Sequence, residues 1–150
     1  MKKAIFPGSF DPFTIGHKDI VEQASNIFDE IIIAVGKNPS KSCMFSLNDR
    51  ISFIKKSLGS NSKIKIESYS ELTISFCKSN DIEFLIRGLR NVKDFLFEKD
   101  IKNMQETFSN VKSIYFISGP NFSFVSSSLI RDILKHGGKC DHLLPFKLNH

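Results

Sequence analysis

The chain has 150 residues, 41% of them hydrophobic and 25% charged, which suits one globular domain with a substantial core. Its 21 Lys and Arg against 16 Asp and Glu leave a net charge of +5, yet no basic run exceeds a pair such as Lys55-Lys56, so nothing marks a nucleic-acid surface. Cys43, Cys77 and Cys140 are far apart without C-x-x-C spacing, no apolar run reaches membrane-spanning length and no signal peptide opens the chain, so a soluble cytoplasmic protein without disulfides, zinc or a membrane partner is expected.

Short apolar runs alternate with helical patterns. Lys2 to Phe6 reads as a buried strand, and Ile20, Val21, Ala24, Ile27 and Phe28 then recur on one helical face. Glu30 to Gly36 (EIIIAVG) is a second strand, its unbroken apolar run typical of a sheet covered on both sides. After the loop KNPSKSCMF, Ser46 caps a helix with Ile51, Ile54 and Leu58 inside. Ser62 to Ser68 predicts a third strand and ELTISFCKSN a short helix; Glu83 to Gly88 is a fourth strand, followed by a helix over Asp94 to Phe108 carrying Phe95, Ile101, Met104 and Phe108. Ser113 to Ser118 is a fifth strand, and a helix over Ser126 to His136 stops at Gly137-Gly138. Five strand–helix alternations without repeat or linker imply a single α/β domain: a doubly wound, Rossmann-like, five-stranded parallel sheet with helices on both faces. The segments after Phe6, Gly36, Ile86 and Ile117 should then meet on one rim.

Those segments are rich in donors. In PGSFDPFTIGH, Gly8 admits a close backbone approach, Ser9 supplies a hydroxyl, and Thr14 can cap a helix whose free N–H groups face an anion. Gly16 keeps bulk away and His17 can donate a ring N–H to a phosphate oxygen; a capped turn with a surface histidine is the alternative. Neither the dinucleotide G-x-G-x-x-G nor the P-loop pattern is present. Lys37 and Lys41 follow the second strand, and Arg87-Gly88-Leu89-Arg90 ends the fourth. Asp94 and Glu98 could pair those arginines or approach a metal. GPNFSFVSSSLIRDI places Ser126, Ser127 and Ser128 at a helix start, a second anion cradle. Cys43 has no histidine beside it and no G-x-S-x-G elbow occurs, so the donor-rich rim suits phosphoryl or nucleotidyl transfer by positioning and charge.

Thr14-Ile15-Gly16-His17 resembles the T/H-x-G-H signature of the nucleotidyltransferase superfamily, and with NPSK, IRGLR and FSFVSSSLIRD the sequence resembles the bacterial phosphopantetheine adenylyltransferases from Lys2 to about Pro145. The resemblance implies that ATP and 4′-phosphopantetheine give dephospho-coenzyme A and pyrophosphate with Mg²⁺, in a homohexamer inhibited by coenzyme A. It implies catalytic roles for His17, Lys41 and Arg90. Ser9, Phe10, His17, Gly88, Leu89, Arg90, Glu98, Phe122, Ser123, Phe124, Val125, Ser126, Ser127 and Ser128 would bind ATP, and Ser9, Lys41, Thr73 and Arg87 the acceptor. No protein side chain is assigned to the metal.

The chain departs from that family's usual pattern at a few positions: Ser9 stands where Thr is frequent, and Thr73 where Met or Leu is common. Asn121-Phe122 and Lys139-Cys140 replace pairs that usually include an acidic residue, and PFKLNH leaves little of the usual final helix. His136, His142 and His150 lack metal-ligand spacing, and Phe95-Leu96-Phe97 reads as core or as an oligomer contact. The competing functions are a nucleotidyltransferase with another acceptor and a non-catalytic nucleotide- or RNA-binding module; pyrophosphate release and salt-dependent RNA affinity separate them.

Overall fold

In the computed structural model, which describes residues 1–38, 40 and 42–149, five strands form one parallel sheet in the order β3-β2-β1-β4-β5. They are β1 (Lys3–Gly8), β2 (Glu30–Gly36), β3 (Ile64–Tyr69), β4 (Phe84–Leu89) and β5 (Lys112–Ile117). Between and after them run α1 (Ile15–Ser25), α2 (Leu47–Leu58), α3 (Thr73–Ser79), α4 (Val92–Phe108) and α5 (Ser127–Lys135).

Alternation along the strands feeds two apolar layers. Ala4, Phe6, Ile31, Ile33, Val35 and Ile86 face one cluster with Ile20 and Val21 of α1, Ile54 of α2 and Ile130 of α5. Ile5, Ile32, Ala34 and Leu85 face the other, with Phe76 and Cys77 of α3. The expected sheet covered on both sides is therefore what forms.

The strand order reverses between β1 and β4, and the geometry there opens a crevice. β1 keeps register with β2 along its whole length, from Lys3 opposite Glu30 to Gly8 opposite Val35. Against β4 it registers only at Ala4 with Phe84 and Ile5 with Leu85. Beyond Ile5 and Leu85 the two central strands part, which leaves space at their carboxyl ends, where open α/β sheets bind ligands.

Several boundaries differ from the sequence reading. β1 runs on through Pro7 and Gly8 because both stay paired with β2. α1 closes at Ser25, so Ile27 is 52% exposed beyond the helix, while Phe28 reaches the core from the turn. α4 buries none of its residues, and Phe95, Met104 and Phe108, which the sequence reading put on this helix, are exposed, so of the two readings of Phe95-Leu96-Phe97 the core is not the one that holds. After a 3-10 turn at Asp141–Leu143 the tail packs on the first cluster through Leu143, Leu144 and Phe146, whose ring stacks on Phe53 at 4.2 Å. Among the described residues, no helix is long and apolar enough to cross a membrane.

Candidate active site

Two clefts meet at the carboxyl rim. The first, about 430 Å³, lies at the β1/β4 opening and is lined by His17, Gly88, Arg90, Glu98 and Val125 with Ser126 to Ser128. The second, about 500 Å³, lies toward β2 and β3 and is lined by Ser9, Gly36, Lys37, Tyr69 and Thr73. Pro7 and Arg87 belong to both.

His17 sits in the first turn of α1, and the turn fixes its chemistry. Thr14 caps the helix by accepting the His17 backbone N–H through Oγ1 at 3.2 Å. The Thr14 N–H in turn donates to His17 Nδ1 at 3.0 Å, so the imidazole completes a capping box where Glu or Gln is usual. A nitrogen that accepts carries no proton, so the neutral ring holds its hydrogen on Nε2. Phe10 meets the ring edge-on at 5.0 Å and Phe13 stacks on it at 5.4 Å. Burial of the ring, and secondarily the Arg90 charge, push the imidazole from its ordinary 6.5 down to about 4. At neutral pH His17 is an uncharged donor rather than a cation.

The arginines are held by the carboxylates of the following helix. Arg90 makes a two-pronged pair with Asp94, Nε to Oδ2 at 3.0 Å and Nη2 to Oδ1 at 3.3 Å. Arg87 Nε lies 3.3 Å from Glu98 Oε2. Of the two roles open to Asp94 and Glu98 in the sequence, the structure gives them arginine pairing. Gly88 between the arginines allows α1 to approach β4, since a Cβ there would lie 3.0 Å from Ile20 Cγ1. Gly8 lines the second cleft, and its smallness also serves the packing, since a Cβ there would meet the Phe10 ring at 3.1 Å.

The serine cluster at the head of α5 divides its labour. Ser126 caps α5 by accepting the Leu129 N–H at 3.1 Å. Ser127 donates to Pro12 O at 2.8 Å and so ties α5 to the loop before α1, while Ser128 Oγ accepts from Arg131 Nη2 at 3.1 Å. Neither α1 nor α5 carries an acidic residue in its first turn, so both N-termini offer unopposed positive dipole ends.

Most of the expected nucleotide residues thus line one cleft, and Ser9, Thr73 and Arg87 line the other. Phe10 is the exception in the loop after β1: its side chain is only 3% exposed, packed under His17, with a backbone φ of 48°. Leu89 is buried as well, Phe124 is exposed outside the cleft lining, and the half-buried Phe122 and Ser123 in the turn before α5 also lie outside it. Thr73 Oγ1 is 3.0 Å from Tyr69 Oη, a hydroxyl pair in the wall of the second cleft. Lys41 and His150 lie outside the described residues.

Three charged residues that shape the rim were not among the expected site residues, although Asp11 lies inside PGSFDPFTIGH. Asp11, 5% exposed, accepts the N–H groups of Met44 and Phe45 at 2.8 and 2.9 Å. Arg50, also 5% exposed, donates to the carbonyls of Ser9, Gly36 and Phe45. Asp19 accepts the Gly119 N–H at 3.0 Å and so fastens the loop after β5 to α1. Arg50's helical spacing from the buried Ile54 and Ser57 hints at its burial, but nothing local points to the carbonyls it reaches.

The cytidylyltransferase-like family profile matches residues 5–133. A phosphopantetheine adenylyltransferase of Christiangramia forsetii is 48% identical over 145 residues, covering 97% of this chain and 96% of that protein. One of Streptomyces coelicolor is 37% identical, covering 97% and 91%. Among solved structures, a bifunctional NMN adenylyltransferase/ADP ribose pyrophosphatase of Francisella tularensis shares the fold with a TM-score of 0.67 at 16% identity, over 98% of this chain and 45% of that one. A lipopolysaccharide core biosynthesis protein of Thermoplasma volcanium gives 0.60 at 15%, over 79% and 98%. With these matches laid over the rim geometry, the chain belongs to the cytidylyltransferase-like family and, within it, to the phosphopantetheine adenylyltransferases.

Proposed function

We propose that the chain moves the adenylyl group of ATP onto 4′-phosphopantetheine, giving dephospho-coenzyme A and pyrophosphate. The observation that carries this reading is the pair of clefts sharing Pro7 and Arg87, one with two helix N-termini and Arg90, the other open toward β3. ATP occupies the first and the acceptor the second, so an acceptor phosphate oxygen attacks the α-phosphorus in line. The bond to the bridging oxygen of pyrophosphate breaks as the new P–O bond forms, with no covalent enzyme intermediate. The acceptor phosphate is already anionic, so no base is needed; repulsion between the two phosphates is the barrier.

His17 Nε2–H donates to a phosphoryl oxygen as charge builds there, and Arg90 and Lys41 offset the charge of the phosphates. Ser9, Thr73 and Arg87 contact the acceptor. Gly88, Leu89, Glu98 and residues 122–128 surround the nucleotide, with Phe10 contributing backbone only. Mg²⁺ enters with the triphosphate as part of the substrate. The rim carboxylates Asp94 and Glu98 are committed to arginines, and no group of three metal-ligating side chains forms among the described residues. The site does not fit a protein-held metal, and no step runs through one.

Coenzyme A carries both the adenylate and the pantetheine arm, which suits it to both clefts as a feedback inhibitor. The uncovered apolar residues of α4, Leu96, Met104 and Phe108 among them, support a homohexamer in which this helix is an interface. The free thiols of Cys43, Cys77 and Cys140 fit a cytoplasmic setting. Incubation with Mg-ATP and 4′-phosphopantetheine, read by mass for dephospho-coenzyme A, tests the reading. Pyrophosphate release with nicotinamide mononucleotide but not with phosphopantetheine would overturn it.

A further inference from the structure

We propose that Arg50 is a positioning residue for the acceptor cleft, holding the ends of β1 and β2 and the foot of the 37–45 loop in the arrangement that phosphopantetheine requires. The inference rests on the acceptor assignment above. Arg50 projects from α2 with 5% of its surface exposed, and among the described residues no ion pair includes it. A buried charge without a counterion is a poor way to stabilise a fold, because an apolar side chain of similar volume would avoid the desolvation cost. What the guanidinium supplies is geometry. Its rigid fork donates from Nη1 to Ser9 O at 2.7 Å and Gly36 O at 3.1 Å, and from Nε to Phe45 O at 3.2 Å.

Those carbonyls belong to three separate segments: the residue after β1, the last residue of β2, and the end of the loop that contains Lys41. Ser9 and Gly36 line the acceptor cleft. Ser9 also precedes Phe10, whose φ of 48° is unfavourable for a bulky residue and persists only where neighbours fix the backbone on both sides. Asp11 grips the same loop foot from the opposite side through the N–H groups of Met44 and Phe45. The far wall of the nucleotide cleft is fastened elsewhere, by Asp19 on Gly119 and by the Ser126 cap. Loss of Arg50 should therefore act chiefly on the acceptor, with only a small effect passed to the nucleotide through Phe10 beneath His17.

Arg50→Met, Arg50→Lys and, as a control on the same helix, the buried Ile54→Ala provide the test. Arg50→Met raises the KM for phosphopantetheine roughly 10- to 100-fold, the weight of hydrogen bonds to a charged donor. The ATP dissociation constant, read by calorimetry, changes by less than about threefold, since the two walls are held largely independently. Amide hydrogen exchange at Met44 and Phe45 quickens, and Arg50→Lys recovers part of both effects, keeping the charge without the planar fork. Ile54→Ala lowers the unfolding midpoint and leaves both affinities in place. Equal loss of both affinities in Arg50→Met, or no change in phosphopantetheine KM, would overturn the proposal. Should Arg50→Met not fold, Arg50→Lys decides on the same readings. If the unmodified protein makes no dephospho-coenzyme A, the functional reading fails by itself; unchanged exchange at Met44 and Phe45 in the Arg50 variants would then separately overturn the positioning role.

Discussion

Replacing His17 with Asn removes the ring and its Nε2–H while leaving an oxygen able to accept the Thr14 N–H, so the cap of α1 survives. The folded imidazole titrates at about 4 against an ordinary 6.5. As pH falls below 6.5 the unfolded chain takes up a proton that the folded chain refuses until about pH 4. The wild-type protein therefore loses stability through that window at about 1.4 kcal/mol per pH unit, about 3 kcal/mol in all. Above pH 6.5 both states are neutral at this site and the contribution is flat. The Asn variant has no such dependence, so the difference between the two urea-unfolding free energies, measured from pH 8 to 4, is level and then falls by that amount. At neutral pH the variant's kcat drops by roughly 10²–10³, the loss expected for one donor to transition-state charge. Wild-type kcat shows no inflection near 6.5 from this group. Parallel stability curves, or an NMR titration of His17 near 6.5 with the proton on Nδ1, would refute the reasoning.

Asp94→Asn should leave stability within about 1 kcal/mol, because its pair with Arg90 is partly exposed, yet raise the ATP KM about tenfold by freeing the guanidinium; steady-state kinetics beside a melting curve reads both. Gly88→Ala drives a methyl onto Ile20 and should cost about 1–3 kcal/mol in urea denaturation, with partial recovery in combination with Ile20→Ala. Phe146→Ala loses the stack on Phe53 and should cost about 3 kcal/mol while both substrate KM values hold. Leu96→Lys on α4 should shift the particle to a smaller species by light scattering; an unchanged mass would remove that helix from the interface.

The parts of this fold that were legible in the sequence are those governed by local periodicity. EIIIAVG gave β2 to the residue because a strand buried on both sides has no polar interruption. The convergence of four loops on one rim followed from strand–helix alternation alone, and Thr14 and Ser46 cap as their spacing suggests. Illegible were the devices that act across sequence distance. Arg50 reaches Ser9 from 41 positions away and Asp19 reaches Gly119 from 100, each binding a backbone atom that any residue could have supplied. α4 failed differently: its apolar residues announce a covered surface, but a pattern cannot say whether the cover is the chain's own core, and here it is not. Phe10 was expected at the nucleotide on the resemblance alone, and that its ring packs against His17 is a contact no pattern could foretell.

Helix α4 makes the rim answerable to its surroundings. None of its side chains is rooted in the core, yet Asp94 and Glu98 on it set where both guanidinium groups point. If the proposed assembly covers that helix, the neighbour that covers it also tunes the cations of the site, and parting the subunits leaves Asp94 and Glu98 to the hold of the Asn91 cap and the Tyr115 hydroxyl. Turnover per molecule should then fade on dilution well before circular dichroism registers any loss of structure.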